Sequence, residues 1–178
     1  MTDLLELRNV TVRFAAVAGK DPPELTAVDA VSFSVGADEM LGLVGESGCG
    51  KSTLGRAILR LVPLAGGELY WRGQRIDTQG RREFRALRRE LQLVFQDPHA
   101  CLDPRMTIVE SVAEPLRALV PELTTSGRTA KALELLDELG LARELAHRYP
   151  HQFSGGQLQR AVIARALIVA PRFIVCDE

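Results

Sequence analysis

The sequence predicts an α/β fold, with a sheet core, an antiparallel β-subdomain at the N-terminus and an inserted α-helical subdomain. Three observations carry this reading. Leu5, Leu7, Val12 and Phe14, and then Val31, Phe33 and Val35, alternate with polar neighbours at the period of half-buried strands. Met40-Leu-Gly-Leu-Val44 is an apolar run that enters a glycine-rich stretch, followed by Leu54, Ala57, Ile58 and Leu61 at helical spacing. From Asp97 to Pro171 strand signals vanish and three helical patterns succeed one another.

Taken in order, Leu4 to Phe14 and Val28 to Val35 read as two strands, and the turn-rich Ala15 to Pro23 between them, with Gly19, Pro22 and Pro23, reads as a loop. Met40 to Val44 reads as a short buried strand and Leu54 to Leu61 as the helix after it, ended by Pro63. Gly66-Gly67 turns the chain into a strand hairpin beginning at Glu68 to Trp71, followed by a charged surface helix at Arg85 to Glu90. Leu91 to Phe95 is the next buried strand. Thr107 and Glu110 form a T-x-x-E capping box for a helix through Ile108, Val112, Leu116 and Leu119, which Pro115 is expected to kink. Ala132, Leu135, Leu136 and Leu139 line a second helix stopped by Gly140. Ser154 and Gln157 are an S-x-x-Q box opening a third helix, which Pro171 ends.

Composition narrows the function. Lys plus Arg number 22 against 23 Asp plus Glu, so no global basic field draws the chain to nucleic acid or anionic lipid. No run reaches the roughly 18 apolar residues of a membrane span, and the start lacks the order of a signal peptide. The expected location is the cytoplasm, with any membrane role carried by a partner. Cys49, Cys101 and Cys176 are odd in number and widely spaced, which disfavours a disulfide framework and a zinc site. His99, His147 and His151 lack metal-ligand spacing and read as structural or solvated.

The chemistry begins at Gly45-Glu46-Ser47-Gly48-Cys49-Gly50-Lys51-Ser52, a complete G-x-x-x-x-G-K-[ST] loop between an apolar run and a periodic helix. Such a loop closes backbone N–H groups around phosphate, while Lys51 reaches the β and γ oxygens and Ser52 ligates Mg²⁺. The core is therefore expected to be that of a P-loop NTPase. Phe173-Ile-Val-Cys-Asp177-Glu178 is an apolar strand ending in acids, which places Asp177 to serve the metal and Glu178 to accept a proton from attacking water. Gln96 leaves a buried strand, and its amide is placed to touch Mg²⁺ or water and sense the γ-phosphate. Ser154-Gly155-Gly156-Gln157 at a helix start offers N–H groups and a helix dipole to an anion. About a hundred residues and a subdomain separate it from Lys51, so it is expected to meet the phosphate of a second copy, with ATP between two subunits.

Together these motifs resemble the ATPase subunit of an ABC transporter across the whole chain. The resemblance implies Lys51, Ser52 and Thr53 on phosphates and Mg²⁺, Gln96 as the Q-loop, and Ser154 to Gln157 as the signature acting in trans. It also implies Asp177 as Walker B, Glu178 as catalytic base and Phe14 as the aromatic that stacks on adenine. Phe95 to Ile108 and Tyr149 to Gln157 more narrowly resemble the bacterial dipeptide, oligopeptide and nickel importer ATPases. The expected organisation is a partial ABC ATPase domain, with a nucleotide-binding core at 1–96, the helical subdomain at 97–170 and the Walker B strand at 171–178. The D-loop and switch histidine of the family would lie beyond Glu178, so the sequence reads as a motor cut short.

The implied function is ATP hydrolysis powering import of dipeptides or oligopeptides. The chain would sit on the cytoplasmic side of the cell membrane, with integral permease subunits as direct partners and an extracytoplasmic solute-binding protein as an indirect one. Two other readings stay open on the sequence: a non-transport ABC ATPase of DNA or translation, and a fragment that binds ATP without appreciable hydrolysis. The neutral charge balance, the compact helical insert and the lack of zinc cysteines count against the first.

Overall fold

A computed structural model describes residues 3–15 and 24–177. The expected loop from Ala15 to Pro23, apart from Ala15 itself, and Glu178 lie outside the described residues. The chain divides into two compact units, one ending at Phe84 and one beginning at Arg85.

The first unit is built on an antiparallel sheet of order β2-β1-β3-β4. Its strands are β1 (Leu5–Ala15), β2 (Glu24–Val35), β3 (Gly66–Trp71) and β4 (Gln74–Arg75). Leu5, Leu7, Val10 and Val12 of β1 are buried with Leu69 and Trp71 of β3. The apolar positions change parity between Leu7 and Val10, where the pairing with β2 slips and Asn9 takes φ 50°. A bulge there keeps the next valines on the buried face, because a one-residue slip would otherwise turn them outward. The Asn9 amide, lost to the ladder, donates to Ser32 Oγ at 2.7 Å. Gly67, at φ 88°, passes so close that a Cβ would strike the Asn9 carbonyl. A further irregularity between Val12 and Arg13 leaves Phe14 39% exposed, opposite Leu25.

Helix α1 (Lys51–Ile58) packs on β1 and β2 through Leu54, Ala57 and Ile58. It stops well before Pro63. Arg60 adopts φ 52°, and Arg60 N and Leu61 N donate back to the Ala57 and Arg56 carbonyls at 2.9 and 2.8 Å, a Schellman ending on a residue other than glycine. The Arg60 guanidinium, hydrogen-bonded to the Ile76 carbonyl at 2.8 Å and lying over the Phe84 ring, holds that turn. Leu61, expected on the helix face, is outside the helix and 48% exposed.

One expected element is absent. Residues 40–44 form no strand, and their side chains stand in solvent, Met40 at 98% and Val44 at 99% exposure. An apolar run becomes a strand only when a neighbour takes its N–H and C=O groups, and no strand among the described residues pairs with this one.

The second unit carries a two-stranded parallel sheet, β5 (Leu91–Val94) and β6 (Phe173–Cys176), in register from Leu91 against Phe173 to Val94 against Cys176. Between these strands come helices α3 (Pro98–Cys101), α4 (Ile108–Leu119), α5 (Thr125–Glu138) and α6 (Gly155–Leu167). The charged helix expected at Arg85 starts earlier, as α2 (Arg81–Leu87). Helices α4, α5 and α6 share one core, in which Val112, Ala132, Leu136, Leu158 and Ala161 are fully buried. The Thr107–Glu110 box closes both ways, Thr107 N to Glu110 Oε2 at 2.8 Å and Glu110 N to Thr107 Oγ1 at 3.4 Å. α4 continues through the buried Pro115 to Leu119. Gly140, at φ 75°, ends α5 as expected, with Leu141 N donating to the Leu136 carbonyl at 2.8 Å. Arg165 of α6 reaches Glu114 of α4 at 2.8 Å.

Candidate functional site

In the first unit the glycine-rich loop leads into α1 without a capping side chain. Gly50 is the N-cap at φ 98°, and a Cβ there would strike the Ala27 carbonyl of β2, so only glycine lets the loop pass this close to the sheet. The first turn of α1 carries no acid, which leaves its positive dipole end uncompensated by side chains of that turn. Lys51 folds back over the loop, its Nζ donating to the carbonyls of Gly45 and Glu46, each at 2.8 Å, and standing 3.8 Å from Cys49 Sγ. Residues 45–49 are exposed and Lys51, Ser52 and Thr53 half-buried, so the loop is open to a ligand of some size. Phe14 lies on β1 of the same unit with its side chain partly open to solvent.

In the second unit the parallel pairing brings two predicted residues to one edge. Val94 pairs with Cys176, so Gln96 and Asp177 both follow the carboxyl ends of adjacent strands, the edge at which open α/β sheets gather ligand groups. Asp177 N donates to the Val94 carbonyl at 2.9 Å, which fixes the strand end. Gln96 is exposed and Asp177 half-buried. Glu178, the predicted proton acceptor, lies outside the described residues.

The start of α6 is also in this unit. Ser154 is the N-cap; its backbone N donates to Gln157 Oε1 at 3.0 Å and its Oγ accepts from Gln157 N at 3.4 Å, the capping box expected from sequence. Gly155 and Gly156 are exposed, and a Cβ on either would meet nothing within 4 Å. The first turn is therefore bare towards solvent. Just before it, a 3-10 turn at Pro150–Gln152 holds the rings of Tyr149 and His151 in a stack, centroids 5.9 Å apart and planes 7° apart. From sequence, His151 is expected to be structural or solvated, and Tyr149 enters only as the first residue of the Tyr149 to Gln157 stretch, with no role of its own. The available signal is an aromatic and a histidine two residues apart, flanking a proline, directly ahead of Ser-Gly-Gly-Gln.

Loop, sheet and inserted helices define a mixed α/β P-loop cassette. A family model described as ABC transporter matches residues 28–178, and the chain belongs to that family. Among curated proteins it is 51% identical to the glutathione import ATP-binding protein GsiA of Escherichia coli K12, over 98% of this chain and 28% of that protein. It is 46% identical to the oligopeptide transport ATP-binding protein OppF of Haemophilus influenzae, over 98% of this chain and 54% of that protein. The chain thus spans between about a quarter and a half of the length of these relatives. Among solved structures it superposes on the ATP-binding cassette MJ0796, in a dimeric post-hydrolysis state bound to ADP and Pi, with a TM-score of 0.84 and 31% identity, covering 98% of this chain and 73% of that one. A second dimeric structure of MJ0796, described as a bacterial ABC transporter cassette, agrees as closely.

Proposed function

We propose that this chain is the ATP-hydrolysing cassette of an importer for short peptides, glutathione among them. The observation that carries the reading is the Gly45–Ser52 loop, with Lys51 bent over its carbonyls, in a chain about half identical to glutathione and oligopeptide import proteins. Lys51 exchanges its two carbonyl partners for the β and γ phosphate oxygens of ATP, and the loop N–H groups take the remaining oxygens. Phe14 stacks on the adenine. Ser52, Gln96 and Asp177 all offer hard oxygen donors, a set that suits Mg²⁺, which when bound neutralises charge on the phosphates.

Glu178 accepts the proton of the attacking water as the γ-phosphoryl group is cut from ADP. The Ser154 helix start, acting in trans, adds N–H donors to the phosphates held by a second copy. Closure of two cassettes on ATP and reopening after hydrolysis, transmitted through the segment after Gln96 to integral permease subunits, drives import. The cassette works on the cytoplasmic face of the membrane, and a solute-binding protein outside delivers the peptide.

The test is the full-length protein reconstituted with its permease in vesicles. ATP-dependent uptake of labelled glutathione or a short peptide is expected, with none from the Lys51→Ala protein. ATP turnover that stays uncoupled from uptake of any short peptide, yet responds to another solute class, would overturn the peptide assignment.

A further inference from the structure

The Tyr149–His151 ring pair is unused by the roles assigned so far. Tyr149 is 43% exposed and His151 is exposed as well, so the stack is not a core contact. Its backbone is nevertheless pinned. Tyr149 N donates to Gln152 Oε1 at 2.9 Å, Gln152 N to the Tyr149 carbonyl at 2.9 Å, and Phe153 N to the Pro150 carbonyl at 3.1 Å. One residue upstream, the Arg148 carbonyl accepts from Ile108 N at 3.0 Å, which anchors the turn to the start of α4. An aromatic surface on a pinned backbone and facing solvent is a stacking platform whose backbone ordering cost is already met.

Its position fits a nucleotide. Tyr149 stands five residues ahead of Ser154, across one 3-10 turn and one extended residue, a span on the order of 10 Å. That is the reach of ATP from its terminal phosphate to its base. A phosphate at the bare first turn of α6 therefore leaves the base within range of the ring pair. Every nucleobase presents a π face, and purines present the larger one.

We propose that Tyr149, backed by His151, is a second base-stacking surface that receives the adenine of the ATP held by the Lys51 loop of another copy. The inference rests on the reading that the Ser154 helix start acts in trans. On this account Phe14 serves the base within one copy and Tyr149 serves it across the dimer. Purine preference is then set when two copies close, and not only when the monomer binds.

The experiment uses the full-length subunit carrying Glu178→Gln, with sedimentation velocity reading the concentration of ATP or CTP that half-assembles the dimer. A fluorescent ATP analogue reads monomer affinity at low protein concentration. Tyr149→Ala is expected to raise the ATP midpoint on the order of ten-fold, the size of one lost base–aromatic stack. It should also narrow the gap between ATP and CTP, with monomer affinity unchanged. Tyr149→Phe should match the parent. Tyr149→Leu, which keeps bulk without a π face, should behave like Tyr149→Ala and carries the test if the alanine variant melts early.

An unchanged midpoint and an unchanged ATP-over-CTP gap in both variants would overturn the proposal. So would a matching fall in monomer affinity, which would put the ring in cis. Gly155→Asp separates this from failure of the underlying reading. If that variant still assembles with ATP at the parent's midpoint, the trans role of the α6 start is wrong, and the proposal falls with it.

Discussion

Lys51 is held by two backbone carbonyls at 2.8 Å and lies half-buried against its own loop. A charge-assisted donor in that position is ready to exchange carbonyl oxygens for phosphate oxygens, which bind an ammonium more strongly because they carry charge. Lys51→Ala should therefore abolish measurable ATP binding by titration calorimetry while the thermal midpoint without nucleotide stays close to the parent's. Retained binding would remove the loop from the site. At this scale the sequence was most legible where the motif fixes conformation. Gly50 is demanded by its positive φ and by the Ala27 carbonyl beside it. Phe14 was harder, since alternation alone places it with Val12 on the buried face. The irregularity at Arg13 that exposes it is set by pairing with β2, which no local pattern records.

At the scale of elements, caps and periodic faces were legible and partners were not. The Thr107–Glu110 and Ser154–Gln157 boxes form as their spacing predicts, because each is closed by residues three apart. Thr107→Ala should cost about 1 kcal/mol of stability at neutral pH, read as a shift of the urea midpoint. The Thr107 hydroxyl, and then its amide, donate to the Glu110 carboxylate and hold its pKa below the usual carboxylate value. A folded pKa below the unfolded one means that this stabilisation is present above the unfolded value and lost as pH falls through the folded one. The difference between variant and parent should therefore shrink as pH falls below the ordinary carboxylate range.

Leu136, fully buried in the core shared by α4, α5 and α6, should cost about 3–5 kcal/mol when cut to alanine. A loss under 1 kcal/mol would mean that this core is loosely packed. By contrast, Met40 to Val44 has the composition of a buried strand without a pairing neighbour among the described residues. Composition reports what a segment can bury, and pairing depends on chain far away in sequence. The early stop of α1 escaped for a related reason: its Schellman turn rests on Arg60, held by Ile76 and Phe84, instead of on the glycine that normally signals it.

At the scale of the whole molecule, the predicted chemistry is distributed over two compact units, the Lys51 loop in one, and Gln96, Asp177 and the Ser154 helix start in the other. If the bare first turn of α6 works on a nucleotide held by another copy, ATP is a ligand of the dimer more than of the monomer. A ligand that binds one state stabilises it by mass action, so ATP should drive association for as long as it stays uncleaved. Glu178→Gln removes the proposed proton acceptor but keeps a side chain of the same shape. In the full-length protein this change should lower ATP turnover by at least about a hundred-fold, the lower range for loss of a general base. The same variant should elute as a dimer in ATP and as a monomer in ADP. Adding Lys51→Ala should return it to the monomer in both nucleotides, because association is then starved of the ligand that links the copies. A Glu178→Gln protein that turns over ATP at the parent's rate would take Glu178 out of the reaction. One that loses turnover yet stays monomeric in ATP would keep the base and remove the shared nucleotide.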